Sequence, residues 1–205
     1  MTISARRMAG ASAFALLFAA SFAAAQAPEM VRVRATIETV DGSMLTAKSR
    51  DGVEMKIKLA DNAPVNEVVK ASLADIKQNS FVAVTAMPQP DGSQKATAVI
   101  IFPEAMRGVG EGHRPWDFVP NSTMTNANVD QVVTGTSGRD LKLSYKGGSN
   151  TVTVPDGVPV VTFAPAARTD LVAGKKVFIV ATPVSGTEFA ASRVVVEKDG
   201  VAPPM

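Results

Sequence analysis

Residues 35–59, ATIETVDGSMLTAKSRDGVEMKIKL, decide the fold of this chain. The last six of them, at 54–59, alternate between polar and apolar side chains, which is the period of a strand with one buried face. Asp41-Gly42 and Asp51-Gly52 are residue pairs that favour tight turns between antiparallel strands. The stretch therefore predicts short antiparallel strands joined by hairpins.

The same pattern occurs a second time, at an offset of 92 to 95 residues. Residues 127–154, ANVDQVVTGTSGRDLKLSYKGGSNTVTV, correspond to 35–59, and residues 170–181 correspond to 75–86 without a gap. A repeat of this size with two copies indicates a duplicated small domain. We therefore predict an all-β fold of two tandem small antiparallel β-barrels of the OB or SH3-like kind, with about five strands each.

The segment that follows the alternating strand differs between the two copies. In the first copy, at 66–75, Val68 and Leu73 lie among apolar residues at roughly helical spacing, which predicts a short helix over one end of that barrel. The second copy has Pro165 in the corresponding segment, and proline disfavours a full helix. We therefore expect the two units to differ most at this end.

The first 25 residues have the features of a secretory signal peptide. Arg6 and Arg7 precede an apolar run at 8–22, and three alanines that end at Ala25 follow it, so cleavage is expected after Ala25. A membrane anchor is the alternative, but the run is shorter than the ~20 residues that a span needs. We expect a periplasmic or secreted protein without a membrane span after cleavage.

The predicted organisation of the chain follows from the repeat and the signal peptide. Because the chain has no cysteine, its domains must be stable without disulfides in an oxidising compartment. The units are a signal peptide at 1–25, a first β-barrel domain at 26–104, a connector at 105–125, a second β-barrel domain at 126–200 and a tail at 201–205.

The charge balance argues against nucleic acid as a partner. Two of the 21 lysines and arginines, Arg6 and Arg7, lie in the predicted signal peptide, which leaves 19 basic residues against 19 acidic residues. Proteins that bind nucleic acid or anionic membranes need a local excess of positive charge. Stacking platforms for bases are also few, since the chain has one Trp and one Tyr.

Both copies share a set of turn and core motifs. In the first copy they are Leu45-Thr46, Asp51-Gly52, Asp75-Ile76, Val82-Ala83-Val84 and Ala98-Val99-Ile100. In the second copy they are Leu141, Gly147-Gly148, Asp170-Leu171, Gly174-Lys175, Val177-Phe178-Ile179 and Ala191-Ser192-Arg193-Val194. This order of motifs resembles exported bacterial β-barrel domains of unknown function, of an OB-like kind. The resemblance implies a fold and a cell-envelope setting, and it supplies no catalytic residue.

The connector contains the only His and the only Trp of the chain, His113 and Trp116. Its glycine spacing at 108–112 is similar to that of a phosphate-binding loop, but such a loop must open a helix and Pro115 follows within three residues. A nucleotide site is therefore disfavoured. The candidate ligand or interface residues are Glu111, His113, Arg114, Trp116, Asp117 and Phe118.

The first interpretation of the connector is a clasp between the barrels. Trp116 and Phe118 would be buried between the two domains, and Arg114 would pair with Asp117 or Glu111. An aromatic anchor of this kind buries ~150 to 250 Å². The connector would then hold the two barrels at a fixed angle.

The second interpretation is a metal site. Glu111, His113 and Asp117 supply one imidazole and two carboxylates within seven residues, with Met106 and Met124 nearby. A single His without Cys provides few ligands for zinc, and Cu(I) sites favour clustered thioethers, which this stretch lacks. We assign no metal and no cofactor, and we keep His113, Glu111 and Asp117 as the ligands of this alternative.

Catalysis has little support in the sequence. A Ser-His-Asp site would need the single His113, and no Gly-x-Ser-x-Gly motif occurs. We therefore predict a non-enzymatic exported module that binds an envelope protein or a small ligand, through barrel loops, a sheet edge or a groove between the barrels. The alternative is a metal-handling accessory protein of the cell envelope that uses the connector around His113.

Overall fold

The computed structural model of the protein describes residues 29–135 and 138–205, so the predicted signal peptide lies outside the described residues. The described part is all-β, and it contains no α-helix. Three-residue 3-10 turns occur at Leu73–Asp75, Glu104–Met106 and Arg168–Asp170. The strands are β1 (Val31–Asp41), β2 (Met44–Ser49), β3 (Glu54–Leu59), β4 (Val65–Ala71), β5 (Phe81–Pro88), β6 (Gln94–Ile101), β7 (Gly112–Pro115), β8 (Thr123–Gly135), β9 (Gly138–Tyr145), β10 (Gly148–Pro155), β11 (Val160–Pro165), β12 (Lys176–Ser185) and β13 (Glu188–Val196).

The strands close into two five-strand circuits. In barrel N, the order is β12-β1-β2-β3-β13, and the parallel pair β3–β13 together with the antiparallel pair β12–β13 completes the circuit. In barrel C, the order is β5-β8-β9-β10-β6, and the parallel pair β6–β10 together with the antiparallel pair β5–β6 completes it. The closing parallel contact covers four residue pairs in barrel N and two in barrel C.

Each barrel takes three strands from one copy of the repeat and two from the other. In barrel N, Ala35 of β1 lies opposite Val177 of β12. In barrel C, Ala127 of β8 lies opposite Val82 of β5. The expectation that each copy closes its own barrel is therefore not what the strand pairing shows. The domain boundaries at 26–104 and 126–200 stay a prediction. The strand pairs β1–β12 and β5–β8 each join a strand of one predicted range to a strand of the other.

Strands β4 and β11 join the two barrels. They pair antiparallel with each other, and Val68 lies opposite Phe163. Each also extends one barrel in parallel: Val65 of β4 pairs with Val194 of β13, and Val160 of β11 pairs with Val99 of β6. Strands β4 and β11 thus connect the sheets of the two barrels through the Val68–Phe163 region.

The predicted helix at 66–75 is wrong. Residues Val65–Ala71 form strand β4, and the only helical geometry there is the 3-10 turn Leu73–Asp75. The second copy is built alike, with β11 followed by the turn Arg168–Asp170, so the expected difference between the units at this end is also wrong. Sheet pairing on both sides of β4 overrides the local helical spacing, and Pro165 is tolerated because it ends its strand.

Buried apolar side chains form three clusters. Leu45 and Ile57 belong to the cluster that fills barrel N, and Leu141 and Val152 to the one that fills barrel C. Because side chains occupy both barrel interiors, the space for a ligand lies beside the third cluster, where β4 and β11 join the barrels. This central cluster consists of Val68, Ala83, Ile100, Met124, Val161, Phe163, Phe178, Val195 and Met205.

Candidate functional site

A cavity of about 820 Å³ lies between the two barrels, beside the central cluster. Its volume falls in the range of ~300 to 1,000 Å³ that is typical of small-molecule sites. Strands of barrel N, strands of barrel C and the connector all contribute to the wall. The wall residues are Glu29, Met30, Arg32, Ala83, Ile100, Phe102, Met106, Val109, Gly110, Glu111, Arg114, Trp116, Met124, Asn126, Phe163, Phe178, Val180, Ser192, Arg193, Val195 and Met205.

Aromatic and methionine side chains dominate the apolar part of this wall. Phe102 packs against Phe163, with ring centroids 5.9 Å apart in an edge-on arrangement. Of the seven methionines after residue 28, four line the cavity. Methionine side chains are flexible and polarisable, so a wall of this kind adapts to apolar ligands of different shapes. The four are Met30, Met106, Met124 and Met205.

The guanidinium groups of Arg32, Arg34 and Arg114 all lie near the indole ring of Trp116. The Arg32 guanidinium carbon lies 4.3 Å from the ring centroid, and that of Arg114 lies 5.6 Å from it. Nη1 of Arg114 also donates to the carbonyl of Gly110 at 2.7 Å. Burial and the positive charge of Arg32 lower the pKa of Arg114 from its usual value. Several like charges therefore lie against one aromatic ring at the edge of the cavity.

Arg34 connects the first strand to the connector and to the tail. Its Nη2 donates to Oδ1 of Asp117 at 2.7 Å, and its Nε donates to the main-chain oxygen of Met205 at 2.7 Å. Burial opposes ionisation of Asp117, but the hydrogen bond from Arg34 and the charges of Arg34 and Arg32 outweigh it and hold the pKa of Asp117 below its ordinary value. The guanidinium of Arg34 lies 5.5 to 5.8 Å from the rings of Phe178, Trp116 and Phe118.

The pairing predicted for Arg114 is different in the structure. Asp117 forms ion pairs with Arg34 at 2.7 Å and with Arg32 at 4.0 Å. Oε1 of Glu111 accepts a hydrogen bond from the backbone N–H of Lys146 at 2.9 Å. The side chains of Asp117 and Glu111 thus link the connector to β1 of barrel N and to the β9–β10 turn of barrel C.

Two buried polar atoms at this site have no hydrogen-bond partner. They are Nε1 of Trp116 and Oδ1 of Asn126, and both residues belong to the cavity wall. Asn126 is only 5% exposed, and its Nδ2 donates to the carbonyl of Val109 at 2.9 Å. An unpaired buried donor or acceptor costs about 1–3 kcal/mol. A ligand that supplied an acceptor for the indole N–H or a donor for the amide oxygen would recover that cost.

His113 lies outside the cavity wall. Its Nδ1 is 2.8 Å from Oγ1 of Thr125 and 3.1 Å from Nδ2 of Asn150, and its ring stacks on Tyr145 with centroids 6.2 Å apart. Because an amide nitrogen only donates, Nδ1 acts as an acceptor here. Burial and the charge of Arg114 lower the pKa of His113, which favours the neutral ring.

Three of the six candidate residues meet at the cavity: Glu111, Arg114 and Trp116. The other three, His113, Asp117 and Phe118, lie outside its wall, and Arg50 stacks on Phe118 at 4.7 Å from the ring centroid. Across residues 29–135 and 138–205, no group of three or more His, Cys, Asp or Glu side chains is placed to hold a metal ion.

The sequence did not indicate most of the cavity wall. Arg32, Phe178 and Met205 come from the first strand, a late strand and the tail, and the pairing of β1 with β12 brings the first two together. Asn126 left no signal either, because it lies in a stretch of the sequence that is rich in Thr and Asn, and only the structure shows that it is buried. No spacing rule for ligand sites includes such a residue.

Two other hollows are less suited to an apolar ligand. One of about 990 Å³ is larger, but polar and charged side chains, such as Asp91, Asp130 and Lys142, make up much of its lining. Another, of about 300 Å³, has four basic residues in its wall: Arg34, Lys48, Arg50 and Lys176. Neither combines an apolar wall with unpaired buried polar atoms.

Within the described residues, no helix is long and apolar enough to cross a membrane. The resemblance to exported bacterial β-barrel domains stays a prediction. No protein family matches the chain, and comparisons with curated proteins and with solved structures likewise give no significant match.

Proposed function

We propose that this protein is a non-enzymatic, exported binding module that holds a small, largely apolar ligand in the cavity between its two barrels. The observation that carries the proposal is a cavity of about 820 Å³ whose mostly apolar wall contains two buried, unpaired polar atoms. An apolar wall with few polar groups is typical of sites that bind small molecules.

The architecture suits a binding role. We propose that the chain is a duplicated unit of the OB or SH3-like kind whose copies have exchanged their last two strands. In this arrangement the cavity wall is built from strands of both barrels, so its shape does not depend on a flexible link between domains. A preorganised wall of this kind lowers the entropic cost of ligand binding.

The setting of this function rests on the sequence. The predicted signal peptide at 1–25 supports export to the periplasm or the exterior. The metal-handling alternative has no specific contact in its favour, because Glu111, His113 and Asp117 each have other partners. The cavity therefore supports a small ligand better than a metal ion.

The experiment is a titration with N-phenyl-1-naphthylamine, a neutral apolar dye that becomes fluorescent in apolar surroundings. The purified protein is expected to bind it saturably, at one dye per chain. Val180→Trp adds bulk to the cavity wall and should weaken binding about tenfold or more, because the ligand loses apolar contact.

Val184→Trp is the matched control. It introduces the same side chain on the same strand, β12, but Val184 is 65% exposed and lies outside the wall. It should bind the dye like the wild-type protein. If the dye does not bind, or if the two variants bind it equally well, the proposed function is wrong.

A further inference from the structure

We propose that the ligand of the cavity is an amphipathic anion, an apolar molecule with one acidic head group that Arg32 and Arg114 hold beside Trp116. This inference rests on the proposed function, because it names the ligand class of the same cavity. It adds that the ligand carries an acidic group, which binding in an apolar cavity does not by itself require.

The two guanidinium groups lack an acidic partner that neutralises both. Arg32 and Arg114 lie 4.3 and 5.6 Å from the centroid of the Trp116 ring, and burial and the charge of Arg32 lower the pKa of Arg114, so the two guanidinium groups repel each other. The carboxylate of Asp117 is 4.0 Å from Arg32 but 2.7 Å from Arg34. Asp117 therefore pairs mainly with Arg34 and neutralises Arg32 only in part. An anion between the two arginines would accept charge-assisted hydrogen bonds from both and relieve their repulsion.

The remaining charges of the wall also favour an anion. One of the two glutamates, Glu111, is already engaged, since it accepts a hydrogen bond from the backbone N–H of Lys146. Three arginines against two glutamates leave an excess of positive charge around the cavity. The charged wall residues are the arginines Arg32, Arg114 and Arg193 and the glutamates Glu29 and Glu111.

The unpaired donor at Trp116 indicates the same chemistry. Its Nε1 is buried without an acceptor, and the ring lies against both guanidinium groups. A carboxylate has several lone pairs and can accept from an indole N–H and from guanidinium groups together. The apolar body of such a molecule would lie along Phe102, Phe163 and Met124.

Titration calorimetry with decanoate and decanol at pH 7 tests the head group, since the two molecules share one alkyl chain length. Decanoate is expected to bind about tenfold more tightly than decanol, which corresponds to one charge-assisted hydrogen bond. Arg32→Gln and Arg114→Gln should each weaken decanoate binding about tenfold and leave decanol binding within about twofold.

Lys56→Gln is the control, because it removes one positive charge from an exposed position of β3 outside the wall. It should change neither affinity. A second measurement needs no variant: decanoate affinity should fall as salt is raised from about 0.05 to 0.5 M, and decanol affinity should not.

The measurements distinguish a wrong head group from the absence of ligand binding. Equal affinities for decanoate and decanol, unchanged by the arginine substitutions and by salt, overturn the anionic head group and leave an apolar binding module. If neither amphiphile nor N-phenyl-1-naphthylamine binds, the proposed function itself is overturned, and this inference with it.

Discussion

Lys58 of β3 lies directly opposite Ala190 of β13, although the two residues belong to different copies of the repeat. The equivalent pair in barrel C is Thr153 of β10 and Lys95 of β6. A chain in which each copy closed its own barrel would instead place Lys58 opposite Lys95. The register of these closing strands therefore shows which part of the chain closes each barrel.

Cysteine cross-linking reports this register in a chain that has no cysteine of its own. The double variant Lys58→Cys/Ala190→Cys should form an intramolecular disulfide on mild oxidation, since side chains of directly paired residues lie about 5 Å apart. Non-reducing mass spectrometry detects the bond.

The matched control is Lys58→Cys/Lys95→Cys, in which both positions are exposed. It should stay reduced, because Lys95 pairs with Thr153 in the other barrel. The opposite result, with the control cross-linked and the test pair reduced, would mean that each copy closes its own barrel.

The Arg34–Asp117 pair should contribute to stability as a link between β1 and the connector. Asp117 is about half exposed, so a double-mutant cycle with Arg34→Met and Asp117→Asn should give a coupling free energy of about 1 kcal/mol or less. Arg34→Met alone should cost more than Asp117→Asn alone, because it also leaves the main-chain oxygen of Met205 without its donor. Urea unfolding measures the stability of the wild-type protein, the two single variants and the double variant. If the two single effects add up to that of the double variant, Arg34 and Asp117 do not stabilise the protein as a pair.

Gly138 should tolerate no side chain. Its φ is +139°, and a Cβ there would lie 2.4 Å from the carbonyl oxygen of Val154. Gly138→Ala should therefore lower the free energy of unfolding by about 2 kcal/mol or more, through backbone strain and steric contact together. Gly147→Ala is the control, because Gly147 also has a positive φ, +98°, but no atom would lie within 4 Å of its Cβ. Equal losses in thermal unfolding would contradict the steric part of this prediction.

His113 should make the protein less stable as the pH falls below about 6.5, its ordinary pKa. Because burial and Arg114 lower the pKa of the folded state, the unfolded chain binds more protons in this range, and stability rises with pH. The loss begins near the ordinary pKa and is complete once the pH is below the folded pKa. His113→Gln should flatten the dependence of the unfolding free energy on pH between about 5 and 7. An unchanged slope would show that other groups cause it.

Asp117 should also make the protein less stable as the pH falls, but at a lower pH than His113. Its depressed pKa means that its contribution is present above its ordinary value of 3.8 and is lost as the pH falls through the folded pKa. Asp117→Asn should therefore differ most from the wild-type protein near neutral pH and least in strong acid. Urea unfolding at pH 7 and at about pH 3 separates the two cases.

The sequence predicted the strands well because their signals are local. The alternation at 54–59 and the turn at Asp51-Gly52 recur in the structure as β3 and the hairpin before it. The pairing of β1 with β12 was not predictable in this way. Strand β1 would find similar apolar side chains on either partner, at 82–84 of β5 or at 177–179 of β12, so no local pattern selects between them.

The candidate site was predictable only in part, for a related reason. Arg114 and Trp116 stood out because they lie outside the repeat pattern. Phe178 lies inside it and Arg32 lies just before it, and both have the spacing of ordinary strand residues. They reach the cavity only because β1 and β12 become neighbours. Residues that join a site through tertiary pairing leave no spacing that a single sequence reveals.

The most direct test of the central claim is NMR of the methionine methyl groups during titration with N-phenyl-1-naphthylamine. Met30, Met106, Met124 and Met205 line the cavity. The other methionines of the described residues, Met44, Met55 and Met87, lie outside its wall and are internal controls. The account predicts that the four cavity signals shift saturably under the ring current of the bound dye while the three controls stay in place. Shifts at the controls alone, or none at the cavity residues when the dye is bound, would contradict a ligand site between the barrels.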